Sequence, residues 1–193
     1  MAKKKYEFKP DKISLGFFHK LYLTKKQRIS ILKWALYALV LLVLSLLQDV
    51  ILCQMDILGA TTDLVPCAIF LCCMLLGTQS GCVFALISAC LFQFSGSGPG
   101  YHAIAIITLL SICGTVIRQS YLRKGFGSCL LCAGACHLLY EVIIFIVGMV
   151  LGQTVFARVG VAVLTCLLSL LFIPALYPIL RAIEKIGGDP WKD

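Results

Sequence analysis

Residues 77–117 read GTQSGCVFALISACLFQFSGSGPGYHAIAIITLLSICGTVI, two apolar runs around the uncharged break Ser95-Gly96-Ser97-Gly98-Pro99-Gly100. Three glycines and a proline in six residues cannot continue a helix, so the chain turns there. Before the break, Gly77, Gly81, Ala85 and Ala89 recur every fourth residue. On a helix that spacing makes one smooth stripe, along which a second helix can approach closely in lipid. The stretch reads as an intramembrane helical hairpin with a packing face.

Outward from it, the chain has the same character. Of 193 residues 60% are hydrophobic and only 13% charged, with a mean hydropathy of +0.96. A soluble domain of this length could not bury that much apolar surface, so an integral membrane protein is expected. Thirty-three mostly polar and basic residues precede the first long apolar run, which is unlike a cleavable signal peptide. The net charge of +8 is unevenly placed, with ten of the 17 Lys and Arg in residues 1–33. A basic preface beside a span suits anionic headgroups and topogenesis and argues against nucleic acid. All 11 cysteines except Cys53 lie inside apolar runs, where Cys behaves as a small hydrophobe.

Breakers and apolar runs divide the chain into a basic segment, 1–33, a six-helix transmembrane domain, 34–183, and a polar stub, 184–193. Within the first, ISLGFFHKLYL at 13–23 suits a segment lying on the interface. Thr24-Lys25-Lys26-Gln27 has capping-box spacing, which starts a helix at Lys25 that enters lipid near Trp34 and runs to about Leu52. The second run, Leu64 to Leu76, is short and contains Pro66. Asp63 to Gly77 as ideal helix covers about 21 Å, less than a ~30 Å hydrocarbon core. Two short spans over 64–94 are favoured over a re-entrant pair. Further spans are expected at 101–117, 128–152 (closing on Gly148 and Gly152, a second small-residue pair) and 155–180. Six crossings place both termini on one side. With that side cytoplasmic, the inner segments hold sixteen basic residues and the outer loops only Arg158, a strong positive-inside bias.

Glu141 is the outstanding polar residue, near the middle of the fifth span, with His137 one turn earlier on the same face. An acid at the centre of an isolated span costs roughly 2.5–3.5 kcal/mol. The pair reads either as a proton relay or ligand contact, or as a hydrogen-bonded device that fixes helix packing. Gln48 and Asp49 fall at the outer end of the first span, where rim positions reached by water are expected. Cys129, Cys132, Cys136 and His137 are close in sequence, but one straight helix rarely wraps four ligands around an ion, so no metal is expected. No nucleophile elbow, zincin helix, Walker loop or well-separated acid pair is present, and neither a cofactor nor a catalytic residue is expected.

Several local patterns, in order, resemble the MreD family of bacterial rod-shape membrane proteins. Leu47-Gln48 closes the first span, and Thr62-Asp63-Leu64-Val65-Pro66 is similar to the family's Pro-Asp-Leu start of the second helix. Ser95-Gly96-Ser97 followed by Gly100-Tyr101-His102-Ala103 looks like its S-G-S-x-x-G-x-H-A turn. Leu139-Tyr140-Glu141 and Tyr177-Pro178-Ile179-Leu180-Arg181 complete the set, over residues 34–186. Phe92-Gln93-Phe94 stands where the family usually carries an Asp, Thr62 replaces a Pro, and the basic preface is longer. The resemblance implies an all-α bundle of six transmembrane helices like the substrate-binding (S) components of energy-coupling-factor transporters. It implies a non-enzymatic scaffold in the bacterial cytoplasmic membrane, both termini cytoplasmic. Its implied partners are an MreC-like single-span protein and, through it, a RodA-type glycosyltransferase, a transpeptidase and MreB. The alternative expectation is a vitamin-binding transport subunit. That role would need A-x-x-x-A docking motifs in the first helix, where Ala35 and Ala38 are only three apart.

Overall fold

The computed structural model describes residues 25–54, 59–96, 98–121 and 125–186. The basic segment before Lys25, the stub after Ile186 and Ser97 of the turn lie outside them. Six helices follow in order: α1 (Lys25–Val50), α2 (Leu64–Leu76), α3 (Thr78–Phe94), α4 (His102–Tyr121), α5 (Phe126–Val150) and α6 (Val159–Glu184). Single 3-10 turns occur at Leu52–Gln54 and Phe156–Arg158, and no strand occurs among the described residues. Four helices, α1, α4, α5 and α6, are long and apolar enough to cross a membrane, while α2 and α3 are shorter. Their outward faces are apolar, with Leu42, Leu91, Leu109, Leu131, Val163 and Leu171 all exposed. Such exposed apolar surface is consistent with lipid around it and with a multi-pass membrane protein.

The organising element is α2 rather than the hairpin at 77–117. All 13 of its residues are buried, and α1, α3, α4, α5 and α6 all pack on it. A helix that is apolar on every side is an enclosed one. At about 1.5 Å per residue it is ~20 Å long, and no bilayer thinning is needed because protein surrounds it.

An enclosed helix must have its terminal N–H and C=O groups satisfied by neighbours. At the start of α2, Asp63 N donates to Ser169 Oγ at 2.9 Å and Val65 N to Gln48 Oε1 at 3.0 Å. Pro66 brings no N–H to this turn. At the far end, Arg118 donates to Met74 O and Ser80 Oγ to Leu76 O. Gly77, at φ +87°, then reverses the chain into α3.

Small residues set the closest approaches. A Cβ on Gly81 would stand 2.7 Å from the carbonyl oxygen of Cys73, so the Gly81, Ala85, Ala89 stripe, buried throughout, packs against α2 within the chain. Gly114, which did not stand out in sequence, fills the same role on α4, facing Cys136 and Met74. Gly148 and Gly152 do something else. Gly152 sits at φ +71° just past α5, Gly152 N bonds Met149 O and Gln153 N bonds Gly148 O. This is a Schellman helix stop, and the nearest atom to a Cβ on Gly148 would be Thr154 Oγ1 of the following loop, at 3.1 Å.

Candidate functional site

The start of α2 lies at the level of Ser169, which is ten residues into α6, and of Glu141 inside α5. Asp63 is therefore carried to a depth where its carboxyl lies close to that of Glu141, whose Oε1 is buried without a hydrogen-bond partner among the described residues. In sequence Glu141 had no acidic companion within a span; the fold supplies one from the loop that leads into α2. His137 is fully buried one turn away, its Nε2 3.6 Å from Glu141 Oε1, beyond hydrogen-bond length. Neither ring nitrogen has a hydrogen-bond partner among the described residues. His137 instead stacks beside Tyr140, centroids 6.3 Å apart, and Tyr140 packs edge-on to Phe70 of α2.

Two spaces lie beside this cluster. One, about 370 Å³, is lined by Gln48 and Asp49 of α1, by residues 61–63, and by Ser95 and Gly96 after α3. The other, about 210 Å³, includes His102 and Pro99 with Glu141, Gln153 and Thr154 in its wall. Asp63, in the wall of the first, lies close to Glu141, in the wall of the second. A third, apolar recess of about 300 Å³ runs between α5 and α6, with Glu141 its one ionisable acid.

No family model, curated protein or solved structure matches the chain.

Gln48 is not a rim residue. It is buried at 7% exposure and committed to the start of α2, whereas its neighbour Asp49 is exposed. Ser95 and Gly96 end α3: Ser95 N donates to Leu91 O at 2.9 Å, and Gly96 adopts φ +84°. Gly100, at φ +140°, leaves room for the ring of His102, whose Cε1 would lie 2.7 Å from a Cβ there. Four of the sequence candidates therefore shape one loop, and Gln48, Asp63 and Glu141 join it.

Ser169 escaped the sequence reading, and Thr62 entered it only as a departure from the family motif. Ser169 is a lone hydroxyl in the run Leu167-Leu168-Ser169-Leu170-Leu171, a signal that was available. Thr62 is 7% exposed and its Oγ1 has no partner among the described residues. At the opposite end of the bundle, Tyr177 packs on Phe126 at 4.7 Å and Arg181 lies over the Tyr177 ring at 5.6 Å. Among the described residues no group of three His, Cys, Asp or Glu side chains is arranged to hold a metal ion.

Proposed function

We propose that the chain is a non-catalytic scaffold of the bacterial cell-elongation machinery, of the MreD type, in the cytoplasmic membrane with both termini cytoplasmic. Its partner in this reading is an MreC-like single-span protein. Through that contact it holds a RodA-type glycosyltransferase and a transpeptidase in register with MreB. All six helices, including the short α2 and α3, count as crossings in this topology, in a bundle resembling an energy-coupling-factor S component.

One observation supports the reading above the others. Four of the five short motifs that carry the resemblance, scattered from Gln48 to Glu141, supply Gln48, Asp63, Ser95, Gly96, His102 and Glu141 to the walls of two spaces, while the fifth, Tyr177 to Arg181, lies at the opposite end of the bundle. Separate motifs that converge on one place are what a shared docking or positioning role would require. The test is affinity purification of the tagged chain from native membranes. Recovery of an MreC-like protein, and loss of rod shape on depletion of the chain, are the expected results. Recovery without it overturns the assignment.

A second reading, a vitamin-binding transport subunit, is favoured by the 370 Å³ polar cavity alone. Saturable thermal stabilisation of the purified protein by one member of a vitamin panel would select it.

A further inference from the structure

The apolar recess between α5 and α6 has one closed end and one charged end. It holds about 300 Å³ and is lined by residues of these two helices alone. At its closed end the helices meet. A Cβ on Gly134 would stand 3.3 Å from Leu170 Cδ2, and further along Phe126 packs on Tyr177 at 4.7 Å. At the other end the recess reaches Val159, the first residue of α6. Between these limits α6 lines it with the short side chains of Ala162 and Cys166. Glu141 is also in the wall, but its Oε1 is inaccessible, and the surface presented is almost wholly apolar.

Length separates a lipid tail from a partner helix as the occupant. From Val159 to Leu170 α6 rises ~17 Å at about 1.5 Å per residue. That is close to half of a ~30 Å hydrocarbon core, the depth of one leaflet. A transmembrane helix would run the full core, yet past Leu170 α5 and α6 are in contact and leave it no groove. An acyl chain entering from the leaflet at the Val159 end needs only the half that is open.

The open end carries the charge such a lipid requires. Arg158 immediately precedes Val159, is exposed, and forms no ion pair among the described residues. No Asp or Glu occurs between Glu141 and Glu184 to neutralise it. Val155 and Phe156 beside it are exposed as well, and a basic residue among apolar ones suits the headgroup level. An arginine there lays its stem on apolar surface and keeps its head at the interface, where a guanidinium matches phosphate oxygens as a two-pronged donor.

We propose that the α5–α6 recess binds a phospholipid, with one acyl chain lying from Val159 to Leu170 and the phosphate held by Arg158. The assignment goes beyond the scaffold reading and does not rest on it: failure to recover an MreC-like partner leaves it standing, and its own failure leaves the scaffold standing.

The full chain in detergent is titrated with dioleoylphosphatidylglycerol and with dioleoylglycerol, which has the same tails and no phosphate, and bound lipid is counted by native mass spectrometry. One saturable phospholipid is expected, bound about tenfold tighter than dioleoylglycerol, the size of one charge-assisted contact. Arg158→Gln is expected to abolish that preference, and Ala162→Phe, which fills the recess, to weaken both lipids. Arg158 is exposed, so its variant reads the phosphate contact even where Ala162→Phe fails to fold. A photoreactive Val163→p-benzoylphenylalanine chain, altered at an exposed position of the recess wall, is then irradiated in native membranes. A phospholipid adduct is expected. A polypeptide adduct without lipid gives the recess to a partner helix and overturns the proposal. Equal affinity for the two lipids, or a preference untouched by Arg158→Gln, overturns it as well.

Discussion

Gln48, two residues from the end of α1, accepts a 3.0 Å hydrogen bond from the backbone N–H of Val65 in the first turn of α2. Ser169 of α6 does the same for Asp63 at 2.9 Å. Two outer helices thereby cap the central one. Removing either acceptor leaves a buried N–H unsatisfied, which costs about 1–3 kcal/mol. Gln48→Ala and Ser169→Ala should each lower the thermal midpoint in detergent. Leu42→Ala, on an exposed face of α1, should change it little. Equal midpoints for all three variants would mean that the start of α2 is wetter than its packing indicates.

Close approach of α3 to α2 rests on a missing side chain. A Cβ on Gly81 would meet the backbone oxygen of Cys73 at 2.7 Å, and backbone cannot swing aside as a side chain can. Gly81→Ala should therefore destabilise the fold by about 1–3 kcal/mol, the range for overpacking. Gly127→Ala is the control, since nothing lies within 4 Å of its Cβ position. There the better helix propensity of Ala should be neutral or mildly stabilising. Monodispersity on size-exclusion chromatography and the thermal midpoint report both.

These two contacts mark how far the sequence could be read. Apolar runs and their Gly and Pro breaks placed α2 at Leu64–Leu76 and put the other helices within a few residues of their bounds, because lipid forces backbone hydrogen bonds inside each helix. The surroundings of α2 were harder. Its uniform apolarity was the mark of an enclosed helix, but its length drew the reading toward a bilayer problem. Gly148 and Gly152 share their i, i+4 spacing with a packing stripe, and only backbone dihedrals separate a stripe from a helix stop. No periodicity could bring Asp63 to Glu141, since that meeting depends on how deeply α2 begins.

The closeness of Asp63 and Glu141 separates two roles for Glu141. If the carboxyl matters only as a hydrogen-bonding partner, Glu141→Gln should keep the fold, because an amide still bonds the Asp63 side chain. Glu141→Leu removes the partner and leaves Asp63, half-buried, with an unmet oxygen, a loss of about 1–3 kcal/mol. The double variant Asp63→Asn with Glu141→Leu then measures the coupling: contact residues should depart from additivity by about 0.5–3 kcal/mol. If Glu141→Gln is as stable as the parent yet does not replace the native chain in depleted cells, the exchangeable proton rather than the contact is what the cell uses. Stable fold with full replacement would reduce the pair to a packing device between α2 and α5.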